Sequence, residues 1–131
     1  MKHDDIRLGY VILYVADVQA TVLFYEKAFG LTCRFVHESK TYAEMETGNT
    51  ALAFVDETIL SHAFRKNRLK ETSAGIEVSL VTKNVQQHFD RAIKAGAMEV
   101  LPPETKPWGQ TVSYVKDNNG CLVEICSPMD S

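Results

Sequence analysis

The first sustained pattern in the chain is an apolar, β-branched run from Gly9 to Val15 (GYVILYV), which predicts a strand ending just before Asp17. Alternation puts Val11, Leu13 and Val15 on one face and Tyr10, Ile12 and Tyr14 on the other. The period then changes, and Val18, Val22, Tyr25 and Phe29 recur at helical spacing. Asp17 suits the N-cap because its carboxylate can accept from the unpaired amides of the first turn. Gly30 suits a left-handed C-cap. Three strand candidates follow, Thr32 to His37, Thr41 to Glu46 and Thr50 to Val55, with Gly48-Asn49 as the turn between the last two.

The second half repeats this order. Glu77 to Val81 predicts a strand, Asn84 a cap, and Val85 to Ala95 a helix with Gly96 at its end. A short strand from Met98 to Leu101 and a Pro-rich loop (PPETKPWG) come next. Thr111 to Val115, the turn Asp117-Asn118-Asn119-Gly120 and a strand from Cys121 to Cys126 complete the unit. Residues agree as well as elements: Asp17-Val18-Gln19 matches Asn84-Val85-Gln86, and Lys27-Ala28 before Gly30 matches Lys94-Ala95 before Gly96. Asn49-Thr50-Ala51-Leu52 falls opposite Gly120-Cys121-Leu122-Val123. The same elements and matching residues in the same order predict two copies of one βαβββ unit in an α+β domain. Module one spans residues 7–55 and module two 75–128, with 56–74 as the polar connector.

Parity then sorts the side chains. Val78 and Leu80 belong under the second helix, leaving Glu77, Ser79 and Val81 on the opposite face. Leu52, Phe54, Val123 and Ile125 fall on the helix side; Ala51, Ala53, Val55, Leu122, Glu124 and Cys126 fall on the other. The repeat-related places opposite the helices are therefore Tyr10, Ala53, Glu77 and Glu124. Two of these are carboxylates on faces expected to be partly buried, where a charge is costly unless paired, ligated or protonated.

Composition narrows the partners. The chain has 131 residues and a net charge of -3, so no global field draws it to nucleic acid or to an anionic membrane. The basic run Arg65, Lys66, Arg68, Lys70 reads as a solvated connector. Met1 to Arg7 is polar, so no secretory leader is expected, and no stretch reaches the roughly 20 apolar residues of a membrane span. Cys33, Cys121 and Cys126 form an odd set with no CxxC pair, which fits reduced thiols in a cytoplasmic protein. His3, His37, His62 and His88 fall on none of the repeat-matched places and read as surface residues. No Ser–His–acid order, P-loop or dinucleotide-binding glycine pattern is present.

The segment YVILYVADVQATVLFYEKAFGL resembles the opening strand and helix of a vicinal-oxygen-chelate module, and KPWGQTVSYVKDNNGCLVEICSP is similar to that superfamily's closing segment. Pro107-Trp108-Gly109-Gln110 resembles its bleomycin-resistance-like branch. The superfamily groups glyoxalases, bleomycin-resistance proteins and dihydroxybiphenyl dioxygenases. The resemblance implies curved mixed sheets forming a cup, a homodimer, and in some relatives a divalent metal held by His and Glu from the first and last strands of each module. Those family places fall on Tyr10, Ala53, Glu77 and Glu124, of which Glu124 alone keeps the usual type. Two carboxylates and a phenol do not make the three or four N, O or S donors of a tight transition-metal site. No cofactor is expected, although a hard divalent ion held weakly through several waters is compatible with the carboxylates.

Three functions from different classes follow, the third being a fold-only relative whose role is interaction or regulation. The first is a metal-independent binding protein of the bleomycin-resistance type, holding a small cationic or aromatic ligand among Tyr10, Tyr14, Trp108, Glu77 and Glu124. The second is a glyoxalase-like lyase or isomerase in which Glu77 or Glu124 moves a proton, with or without a divalent ion. A purely structural pairing of the glutamates with Arg34, Lys116 or a backbone amide is the alternative to both. Cys126 shares their face, where a buried thiol more often packs than reacts.

Overall fold

The computed structural model describes residues 5–59 and 65–129. His3 and His62 lie outside them. Module one comprises β1 (Tyr10–Val15), α1 (Val18–Phe29), β2 (Cys33–Val36), β3 (Tyr42–Met45) and β4 (Ala51–Asp56). Module two comprises β5 (Glu77–Val81), α2 (Val85–Lys94), β6 (Met98–Thr105), β7 (Thr111–Lys116) and β8 (Leu122–Cys126). Each forms a four-stranded mixed sheet, ordered β1-β4-β3-β2 and β5-β8-β7-β6, in which the first and last strands pair in parallel. The expected two-module α+β architecture is therefore present.

The caps show why the helices end where they do. Asp17 Oδ1 accepts from the Ala20 amide at 3.0 Å, and Gly30 at φ 71° sends its N–H back to the Glu26 carbonyl. Asn84 departs from the expected cap, since its side chain makes no bond to the first turn. Its backbone (φ -118°, ψ 62°) does not match the extended geometry of Asp17, and its own amide instead donates to Thr82 Oγ1. Strand β6 differs from the sequence pattern: it runs on to Thr105 through Pro102 and Pro103, where the prolines predict a loop. The prolines are tolerated because β6 is an edge strand whose register slips between Glu99 and Leu101 and again between Leu101 and Glu104.

One core joins the modules. Leu13, Val15, Tyr25 and Phe54 pack in the same buried cluster as Val85, Phe89, Val115, Val123 and Ile125, with Val11, Val78 and Leu80 at its margin. Parity thus placed the helix-side residues correctly. Helix α1 lies against α2, and Arg91 of α2 donates to the Lys27 carbonyl at 3.0 Å, satisfying an end of α1 that has lost its own donors.

The connector is anchored rather than merely solvated. Glu57, buried, takes both Arg68 nitrogens at 2.8 and 2.9 Å. Asn67 donates to the Tyr14 carbonyl, Ser73 to the Gly120 carbonyl, and Lys116 Nζ to the Glu71 carbonyl. Arg65 is held by Glu71 and the Thr72 carbonyl.

Candidate functional site

Strand register builds the site on the sheet faces turned away from the helices. In module two Ser79 pairs with Glu124 across β5–β8, and Glu124 pairs with Tyr114 across β8–β7. Neighbours in such a row stand close enough for direct contact. Glu124 Oε1 accepts from Ser79 Oγ at 2.6 Å, and its Oε2 accepts from the Tyr114 hydroxyl at 2.9 Å. Neither Arg34 nor Lys116, the partners considered from sequence, reaches it: Arg34 binds Glu44 and Glu46, and Lys116 the connector.

Glu77 lies one row away and is exposed as a residue, yet its carboxyl titrates above the ordinary glutamate range. Loss of water around the carboxyl is the main cause, and the adjacent Glu124 adds to it. The same environment raises Tyr114 to about 12, by burial first and by Glu124 second. Cys126 is buried on this face, and burial pushes its thiol up although the Ser79 hydroxyl, 3.4 Å away, opposes the shift. It is a packed thiol, not a poised nucleophile.

Module one is built differently at the matching places. Ile12, Ala53 and Glu44 occupy the row that Ser79, Glu124 and Tyr114 occupy in module two. The carboxylate absent at Ala53 thus reappears directly across the strand pair, at Glu44. Glu44 is buried, accepts from the Tyr42 hydroxyl at 2.6 Å and pairs with Arg34 at 3.3 Å. Burial and Glu44 together push Tyr42 well above the ordinary tyrosine range, and Tyr10 contributes from nearby. Ala53 is wholly buried beneath this arrangement. Each module therefore presents a tyrosine hydroxyl bound to a glutamate, by different residues.

The expected site residues are only partly gathered. Glu77 and Glu124 adjoin each other, and Tyr14 shares with Glu77 the wall of a cavity of about 210 Å³. Tyr10 sits with Tyr42 on module one. Trp108 is 60% exposed at the β6–β7 turn, its indole N–H donating to Gln110, and it is in the wall of neither cavity that Glu77 lines. Sequence reading did not single out Ser79, Tyr114, Tyr42 or Glu44. Parity places Ser79 on the face of Glu77 without marking it as chemistry, and the same rule puts Tyr42 and Glu44 opposite the core residues Ala43 and Met45.

These residues do not suit a transition metal. Ala53 offers no donor, both Glu124 oxygens already accept hydroxyls, and among the described residues no group of three or more His, Cys, Asp or Glu side chains could hold an ion.

Two βαβββ modules with mixed sheets and helices packed into one core are the fold of the glyoxalase, bleomycin-resistance and dioxygenase superfamily. The chain belongs to the Glyoxalase-like domain family, whose model matches residues 8–130. Among solved structures it is similar to a glyoxalase-related enzyme from Fulvimarina pelagi, with TM-score 0.79 and 20% identity over 93% of this chain and 88% of that one. A glyoxalase/bleomycin resistance protein/dioxygenase family enzyme from Burkholderia phytofirmans PsJN gives 0.77 and 20% over 93% and 98%. A glyoxalase/bleomycin resistance protein/dioxygenase from Nocardioides gives 0.74 and 17% over 99% and 88%. At such identities the likeness establishes the fold alone. No functionally curated protein matches the chain in sequence. No helix among the described residues is long and apolar enough to cross a membrane.

Proposed function

We propose that this protein binds a small cationic or hydrogen-bond-donating ligand at the Glu77–Glu124 carboxyl pair, without a transition metal. The observation that carries the reading is the position of Glu77, beside Glu124 on one sheet face and in the wall of both cavities between the modules; its raised carboxyl, with no cationic side chain among the causes acting on it, agrees. Two adjacent carboxyls repel when both are ionised, and a guest cation relieves that repulsion while an anion adds to it. Tyr114 and Ser79 fix Glu124 as an acceptor, leaving Glu77 as the group that can exchange a proton with the guest.

A Glu-based lyase or isomerase is the second reading, favoured by that same division between a fixed carboxyl and a proton-holding one. Apolar side chains at the inter-module edges, Ile12 at 42%, Ile76 at 69% and Val81 at 62% exposed, support a homodimer that covers them. Light scattering at micromolar concentration should then return twice the chain mass.

Calorimetric titration with a cationic glycopeptide such as bleomycin and with anionic aromatic acids tests the binding reading. Cations should bind, and Glu77→Gln and Glu124→Gln should each weaken them by about 1–3 kcal/mol. Equal binding of anions, or mutants that bind unchanged, would make the carboxyls structural. Elemental analysis should find no stoichiometric zinc, nickel or iron; one ion per chain would favour the catalytic reading.

A further inference from the structure

The two sheets do not join. Strand β1 is the edge of one and β5 the edge of the other, and they are not hydrogen-bonded to each other. Main-chain direction along each edge follows from the bonds at its ends. The Gly9 and Val15 carbonyls accept from Ala51 and Glu57, so odd-numbered residues of β1 bond towards β4 and Tyr10 and Ile12 present their N–H and C=O to the gap. Thr82 donates to the Cys126 carbonyl, so by the same alternation Glu77, Ser79 and Val81 present theirs from β5. Among the described residues, no hydrogen bond to these main-chain groups is found.

Among the described residues, two cavities lie along the gap. One cavity of about 210 Å³ is lined by Val11 to Tyr14 together with Ile76 to Val78, hence by both faces of both edges. A second, of about 230 Å³, is lined by Val11, Ala51 and Leu52 together with Glu77 to Leu80. Ile12 to Tyr14 line only the cavity at the start of β5, and Val11 alone of β1 also borders the cavity that reaches on to Ser79 and Leu80, so the edges run antiparallel. Further along β1 the Tyr14 carbonyl already accepts from Asn67, but the space in the sheet plane between β5 and the stretch of β1 from Tyr10 to Ile12 has the shape of a missing strand. Its helix side is apolar (Val11, Leu13, Val78, Leu80), and Glu77 borders both cavities. The one arginine in its wall, Arg65, is occupied by Glu71 and the Thr72 carbonyl.

We propose that the gap between β1 and β5 receives an extended, amide-bearing guest, a short basic peptide segment that hydrogen-bonds through its main chain and places a cationic side chain beside Glu77. The inference rests on the reading that the inter-module site takes a cationic guest, and adds the guest's backbone chemistry. Strand addition supplies affinity through main-chain bonds, and alternate side chains supply selectivity: apolar towards the helices, basic towards Glu77.

The probe is acetyl-Thr-Val-Lys-Val-Thr-amide, compared with the same peptide N-methylated at alternate amides and with lysine replaced by glutamate. Calorimetry should show at least tenfold weaker binding for each variant, and amide exchange at Ile12, Glu77 and Ser79 should slow when the parent peptide binds. Glu77→Gln should abolish the lysine-over-glutamate preference yet leave the N-methyl penalty intact. The proposal is overturned if the N-methylated peptide binds as well as the parent, or if no peptide binds while small cations still do; in both cases the charge reading survives. It is also overturned if those amides are already protected in the free protein, or become protected only as the chain dimerises. Peptides that bind with the N-methyl penalty but without a charge preference would overturn the cationic part and the reading it rests on together.

Discussion

The hydroxyl of Tyr25, in the middle of α1, donates a 2.7 Å hydrogen bond to Asp117 Oδ2, in the β7–β8 turn of the other module. Both groups are fully buried, and Asp117 Oδ1 accepts from the amides of Asn119 and Cys121. Burial raises both pKa values; the hydrogen bonds partly offset the shift at Asp117, whereas the carboxylate pushes Tyr25 further up. Beside them Asn119 accepts from the Ala16 amide and donates to Thr21. The start of α1 is thus tied to module two by polar groups that have no water to fall back on.

Removing one end of this tie should be costly. Tyr25→Phe leaves a buried carboxyl oxygen without its donor and should destabilise the fold by about 1–3 kcal/mol in urea unfolding. In an Asp117→Asn background the same change should cost less, because the carboxylate it served is gone. Equal costs in both backgrounds would mean that the two groups are not energetically coupled.

Gly120 tests how tightly the connector is seated. Its φ of 90° disfavours any side chain, and a Cβ there would collide with the backbone carbonyl of Arg68. Gly109 has nearly the same φ, 91°, but open space around it. Gly109→Ala should therefore cost about 1–2 kcal/mol, the left-handed penalty alone, and Gly120→Ala clearly more. Matching losses would show that the connector yields at Arg68.

The Glu57–Arg68 pair should give stability a pH dependence. Two hydrogen bonds from Arg68 hold Glu57 below the usual carboxylate range, against the opposing effect of burial. A carboxyl depressed in the fold stabilises above its unfolded pKa, near 4.5, and that contribution fades as pH falls through the folded value. Arg68→Met should lower the melting temperature at pH 7 and narrow its difference from the parent below pH 4. A constant difference across that window would remove Glu57 as the cause.

Glu77 carries the opposite sign. Its raised pKa means that the neutral form is favoured in the fold and that this contribution is lost as pH rises through the folded value. Carbon-detected titration should find Glu124→Gln lowering the Glu77 pKa without restoring its ordinary value, because burial remains the larger cause. Cation binding should strengthen as pH rises through the Glu77 transition. A Glu77 pKa indifferent to Glu124→Gln would separate the two carboxyls.

Legibility from sequence divides along the range of the interactions. The repeat and strand parity predicted both modules and sorted Leu13, Phe54, Val123 and Ile125 from Tyr10, Ala53 and Glu124, because alternation and helical period are local. The Tyr25–Asp117 tie spans 92 residues and leaves no periodic trace. Glu44 was missed for another reason: comparing modules place by place finds Ala53 empty of chemistry but not the carboxylate one strand over. Pro102 and Pro103 read as breakers in the sequence, so the pattern ends β6 at Leu101; the two register shifts that accommodate them depend on β7.

Those prolines have a bearing on how the molecule behaves in crowded solution. Lacking amide hydrogens, Pro102 and Pro103 sit in β6, the outermost strand of module two, while β2, the outermost strand of module one, is short and bulged between Cys33 and Phe35. Neither outer margin is a good template for recruiting another chain into a growing fibril. The receptive margins face inward, across a gap that the anchored connector borders, so whatever pairs with this protein through its backbone must first fit between its halves.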